Sequence, residues 1–158
     1  MANGTRHTAL AQDEPGWTSQ RGRGQRVLVL DDDRDLLRML TCMLEVGDHE
    51  VVTTVDGRET LACAAAAAAE GNPFDLAILD IVVDGGMGGL ETIRPLKAAY
   101  PTMRALVSSG CVWEEAILYP GRHGFDAALP KPYTLQTLLD TVGAMLGTDA
   151  PCSARGQR

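Results

Sequence analysis

The chain has 158 residues, a formal net charge of −7 at pH 7, and 45% hydrophobic against 22% charged residues. That length fits one domain able to bury a core without disulfides or a structural metal, and the negative charge argues against binding nucleic acid by neutralising its phosphates. Cys42, Cys63, Cys111 and Cys152 form no Cys-x-x-Cys pair and read as reduced thiols. The N-terminal stretch MANGTRHTALAQDEPGW has no apolar signal core, and no apolar run approaches the ~20 residues needed to cross a bilayer. The expectation is a cytoplasmic protein with no membrane segment.

Residues 1–25 and 148–158 are polar, without apolar periodicity, and read as disordered tails flanking a domain over 26–147. Within it, VLVL is a short continuous apolar run, the pattern of a strand buried on both faces. DRDLLRMLTCMLEVG follows with Leu36, Leu37, Leu40, Met43 and Leu44 at helical spacing, Asp33 as cap and Gly47 as stop. EVVTTV is β-branched and strand-like, and GRETLACAAAAAAEG after it is a strong helix former. LAILD predicts a third strand and LETIRPLKAAY a third helix, in which Pro95 forces either a kink or a late start. RALVSS is a fourth strand, VWEEAILY a helix cut short by Pro120 and Gly121, AAL a brief fifth strand and TLQTLLDTVGAML a fifth amphipathic helix. Five βα units predict an α/β fold, a doubly wound parallel sheet with helices on both faces.

The polar residues at the strand ends carry the chemistry. Asp31, Asp32 and Asp33 close the first apolar stretch, Asp80 the third, Ser108 the fourth, and Lys131 follows the fifth. In an open parallel sheet the carboxyl ends of neighbouring strands share one crevice. Acids brought together there repel by roughly 4 kcal/mol per pair at ~4 Å and an effective dielectric of ~20. The set therefore makes sense around a cation, with a divalent metal as the guest and phosphate as the chemistry.

VLVLDDDRDLL, LDIVVDGGMGGLE, ALVSSG and LPKPY, in this order and at these separations, resemble the receiver domain of two-component response regulators. The resemblance implies a flavodoxin-like five-stranded sheet of order 2-1-3-4-5. It implies Asp80 as phosphoacceptor, Ser108 as the hydroxyl that hydrogen-bonds the phosphoryl group and Lys131 as the compensating cation, preceding a cis bond to Pro132. It also implies Mg2+ held by Asp32, Asp80 and the backbone carbonyl of Val82, with Asp31 acting through water. The implied donor is a sensor histidine kinase or a histidine phosphotransfer protein. Because only a short polar stretch follows the fifth helix, the expectation is a single-domain receiver whose output is protein contact, phosphate relay or a phosphate sink. The downstream target and a phosphorylation-linked homodimer are left open.

Several residues depart from the family pattern or compete for roles. Asp33 reads as a helix cap rather than a ligand, and strand alternation should turn Ser109 away from the face of Ser108. DGGMGG fits neither a dinucleotide fingerprint nor a P-loop and reads as a tight turn in which Asp84 adds an acid where most receivers have proline. Ala128 stands where the family usually carries a switching aromatic ring. Tyr133 reads as packing near the lysine, and His7, His49 and His123 as isolated. With Val82 two residues after Asp80 and Gly110 two after Ser108, no side chain flanks the phosphate to orient water, so self-dephosphorylation should be slow. Two rival readings remain: an interaction module independent of phosphorylation, and a Mg2+-dependent phosphatase with an aspartate nucleophile. Val82 opposes the second, because such an enzyme wants a general acid there.

Overall fold

A computed structural model describes residues 24–147; the stretches before and after, with His7 and Cys152, lie outside the described residues. The strands are β1 (Arg26–Leu30), β2 (Glu50–Thr54), β3 (Leu76–Asp80), β4 (Arg104–Ser109) and β5 (Ala127–Pro130). The helices are α1 (Arg34–Glu45), α2 (Gly57–Ala69), α3 (Gly89–Ala99), α4 (Glu115–Leu118) and α5 (Leu135–Leu146). Every pairing is parallel, and the order is β2-β1-β3-β4-β5, as expected.

Strand alternation splits the core into two layers. Leu28 and Leu30, Ala77 and Leu79, and Ala105 and Val107 face one side, against Ala64, Ile93, Leu96 and Ile117 from α2, α3 and α4. Val27 and Val29, Leu76 and Ile78, Leu106 and Leu129 face the other, against Leu37, Leu40 and Leu44 of α1 and Leu138 and Val142 of α5. Each fully buried aliphatic side chain contributes about 1.5–3 kcal/mol, and β3 at the sheet centre is buried at every position.

Three local expectations are refined. Gln25, read as the end of a tail, is packed: its carbonyl accepts from Glu50 N at 3.0 Å and its side-chain amide donates to the Leu146 carbonyl at 3.3 Å. Pro95 lies inside α3, which starts at Gly89 rather than near the proline. The fourth helix is a single turn, and the chain then tightens into a 3-10 turn over Pro120–His123 that ends at Gly124 with φ 93°.

Candidate functional site at the carboxyl edge of the sheet

Register and alternation together assemble the site. Leu30 pairs with Leu79, so Asp31 and Asp80, one residue on, are neighbours; Asp80 pairs with Ser108; Ser109 pairs with Pro130, which brings in Lys131. Asp31 continues the face of Val27 and Val29, Asp80 that of Leu76 and Ile78, Ser108 that of Leu106, and Lys131 that of Leu129. Because side chains repeat every two residues along a strand, all four point to the α1 and α5 side of the sheet. Ser109 has the opposite parity, and its hydroxyl accepts from Cys111 N at 3.1 Å, away from Ser108 as expected.

Lys131 is the clasp. Its Nζ donates to Asp31 Oδ2 and to Asp80 Oδ2, both at 2.6 Å, across 100 and 51 residues of sequence. The Lys131–Pro132 bond is cis, matching the expectation. Asp31 is 2% exposed and Asp80 8%. Burial pushes the Asp80 carboxyl above the usual aspartate range; the bond and charge of Lys131 oppose this, and Asp31 adds to it. Burial works against the Lys131 ammonium too, but hydrogen bonds to the two carboxylates outweigh it and raise its pKa above the ordinary 10.5. The bond from Lys131 to Asp31 is the contact that strand spacing alone had not assigned.

The remaining carboxylate oxygens are oriented by backbone donors. Asp31 Oδ1 accepts from Asp33 N at 2.9 Å, Asp80 Oδ1 from Val82 N at 3.3 Å, and Asp32 Oδ2 from Asp84 N at 3.1 Å. Asp84 thus touches the cluster through its amide, while its own side chain is exposed. Asp33 caps α1, its Oδ1 accepting from Asp35 N and Leu36 N, so it serves the helix as expected.

The Gly-rich turn is the tight loop that the sequence suggested. Gly85 takes φ 68°, a left-handed conformation favouring glycine, and a Cβ at Gly88 would run into the Ile81 carbonyl. Sequence reasoning missed what holds this turn: Asp56, the cap of α2, also accepts from Met87 N at 2.9 Å, and Gly57 N donates to the Met87 carbonyl at 2.8 Å. An aspartate directly before a helix former is a local signal for such a cap, one that sequence reasoning did not use, but nothing local signals a partner 31 residues away. His49 and His123 lie outside the cluster; burial lowers the pKa of His49, and His123 faces Glu115 at 4.0 Å.

One oxygen from each of Asp31, Asp32 and Asp80 lies within 4.8 Å of the others. Three carboxylates, one of them exposed to solvent, form a hard-oxygen donor set that suits Mg2+, which keeps several waters, far better than a soft metal.

The comparisons with known proteins agree with this geometry. A family model described as the response regulator receiver domain matches residues 27–143. A response regulator receiver protein of Anaeromyxobacter sp. (strain Fw109-5) is 33% identical over 116 residues, covering 73% of this chain and 46% of that protein. The transcriptional regulatory protein PrrA of Mycobacterium tuberculosis is 34% identical over 121 residues, covering 77% and 49%. The chain therefore spans about half the length of these curated relatives. Among solved structures, the chemotaxis protein CheY4 of Vibrio cholerae aligns with a TM-score of 0.69 at 29% identity, over 78% of this chain and 99% of that one. A CheY-like receiver domain of Methanospirillum hungatei gives 0.69 at 27% identity, over 78% and 94%. With the family pattern matched across most of its length and the acids, hydroxyl and lysine gathered at one sheet edge, the chain belongs to the response regulator receiver domains of two-component systems.

Proposed function

We propose that Asp80 accepts a phosphoryl group from a sensor histidine kinase or a histidine phosphotransfer protein, and that the aspartyl phosphate signals through protein contact or onward relay. The observation that carries this reading is the Lys131 ammonium, 2.6 Å from an oxygen of Asp80, beside three converging acids. An Asp80 oxygen attacks the phosphorus of the donor's phosphohistidine, a P–O bond forms, and the P–N bond breaks with its electron pair leaving on the imidazole. Asp31, Asp32 and Asp80, with the carbonyl of Val82, would hold Mg2+, which when bound neutralises charge on the phosphoryl oxygens. Lys131 keeps the acceptor carboxylate oriented and offers positive charge to the incoming group. Ser108, 2% exposed and with no hydrogen-bond partner for its hydroxyl, has a proton free for a phosphoryl oxygen.

Titration with beryllofluoride, a phosphoryl mimic, in the presence of Mg2+ tests the assignment. The wild type responds by tryptophan fluorescence or NMR and Asp80→Asn does not; an equal response in both refutes Asp80 as acceptor. A second reading, a receiver-like module that works without phosphorylation, draws on Ala128 and the one-turn α4, and it predicts no response in either protein. A phosphatase predicts many turnovers on a phosphomonoester, against a single stoichiometric labelling of Asp80. Val82, apolar and 58% exposed, supplies no general acid for turnover.

A further inference from the structure

Two buried hydroxyls in the wall of the site have no hydrogen-bond partner: Ser108 Oγ and Tyr133 Oη. Ser108 ends β4 directly opposite Asp80. Tyr133 stands two residues beyond Lys131 and packs on the layer formed by Leu106 and Leu129, which is the face that Ser108 shares. A buried hydroxyl left unsatisfied destabilises the fold, and a phenylalanine would fill the same space without that penalty. Ala128 packs against the opposite layer, with Val107, so the face bearing Ser108 has Tyr133 as its aromatic residue at this end of β5. Burial raises the Tyr133 pKa; nearby Ser108 and Lys131 oppose this shift while Asp31 and Asp80 add to it, as befits a phenol lining the acid cluster.

We propose that Tyr133 is a positioning residue for Ser108: once Asp80 carries a phosphoryl group, the Tyr133 hydroxyl, unpartnered without it, donates to Ser108 Oγ, committing the one serine proton to a phosphoryl oxygen. A serine hydroxyl has one proton and two acceptor lone pairs. Occupying a lone pair with the phenol proton leaves the serine proton to point along the remaining direction. The chain Tyr133 O–H to Ser108 Oγ–H to phosphoryl oxygen gains strength when its last acceptor is an anion, so the pair contributes most in the phosphorylated state. This inference rests on Asp80 being the acceptor, as proposed above.

The test uses the full chain as wild type, Tyr133→Phe, Ser108→Ala and the double variant, each titrated with beryllofluoride at saturating Mg2+. Tyr133→Phe is expected to weaken beryllofluoride binding by about 2- to 10-fold and to have no further effect in the Ser108→Ala background. Its affinity for Mg2+ alone should equal that of the wild type, and its metal-free melting temperature should be equal or higher, since an orphaned buried group is removed. Unchanged beryllofluoride affinity in Tyr133→Phe, the same loss in both backgrounds, a weakened affinity for Mg2+ alone or a lowered metal-free melting temperature overturns the proposal. A wild type without any Asp80-dependent response overturns the phosphoacceptor reading and this one with it, a pattern distinct from failure of Tyr133 alone.

Discussion

Lys131 bridges two nearly buried carboxylates, so its removal leaves like charges facing one another without a counterion. A fully buried broken pair costs about 3–5 kcal/mol. The lysine side chain keeps 19% exposure, which brings the expected loss for Lys131→Met to roughly 1–3 kcal/mol by urea denaturation at pH 7. In the wild type the folded lysine pKa lies above 10.5. Its contribution is therefore complete below that pH and fades as pH rises through the higher folded value. In the variant Asp80 loses the ammonium that opposes the upward push of burial on its carboxyl, so the deficit should shrink as pH falls and Asp80 protonates. Mg2+ should stabilise the variant more than the wild type; a deficit that is flat with pH contradicts this account. At Val82 the side chain is apolar and exposed, and Gly110 contributes no atom beyond its backbone. With Asp80 as the proposed phosphoacceptor, Val82→Asn, by offering one hydrogen bond to a water near the phosphoryl group, should speed loss of phosphate by about 2- to 10-fold in a radiolabel decay assay. No acceleration would count against the absence of a water-orienting side chain as the brake.

Among the elements, α1 and the Gly-rich turn bear most directly on the acids. Asp33 closes two amides at the start of α1, and its own N–H holds Asp31 Oδ1. Asp33→Ala should therefore cost about 1 kcal/mol of stability through the lost cap, while Mg2+ affinity by calorimetry changes by less than about 2-fold, because the backbone amide remains. A large loss of Mg2+ binding would make Asp33 a ligand instead. The turn after β3 is held at two points, by Asp56 on Met87 N and by Asp84 N on Asp32 Oδ2. Its position thus depends on the start of α2 and on an acid of β1's loop as well as on its glycines. At the far end of the sheet, Asp126 accepts from Lys97 Nζ at 2.6 Å and Ala105 N at 2.7 Å. Burial alone would raise the Asp126 pKa, but these bonds and the lysine charge outweigh it and hold the carboxyl below the usual range. That clasp ties α3 to the base of β4 and β5.

Across the whole molecule, stability is spread unevenly between the sheet centre and the face beyond β4. β1 and β3 lie between two apolar layers, whereas α4 is one turn with only Ala116 and Ile117 buried. Beside it, Val112, Trp113, Leu118 and Tyr119 are exposed, Trp113 to 81%. Few buried contacts mean low-energy local opening. Native-state hydrogen exchange should therefore show residues 111–124 exchanging well before β1 and β3, which should exchange near the global unfolding limit. Uniform protection across the two regions would contradict this picture. Among the described residues, no helix is long and apolar enough to cross a membrane.

Much of this protein was legible from residues in order. Short apolar runs ending in Asp31, Asp80, Ser108 and ahead of Lys131, separated by helical periodicity, predicted the doubly wound sheet and the site at its carboxyl edge. Such patterns are local: they report which face each residue takes and where an element stops. Distances between strand ends depend instead on the parallel register, held by inter-strand hydrogen bonds and by how helices pack on each face. That is why the tertiary structure alone decided that Lys131 grips Asp31 as well as Asp80, that Asp84 acts through its amide, and that Asp56 pins a turn far along the chain. It also decided that the hydroxyls of Ser108 and Tyr133 share a wall of the site, since no periodicity relates residues on different strands until the sheet has closed its register.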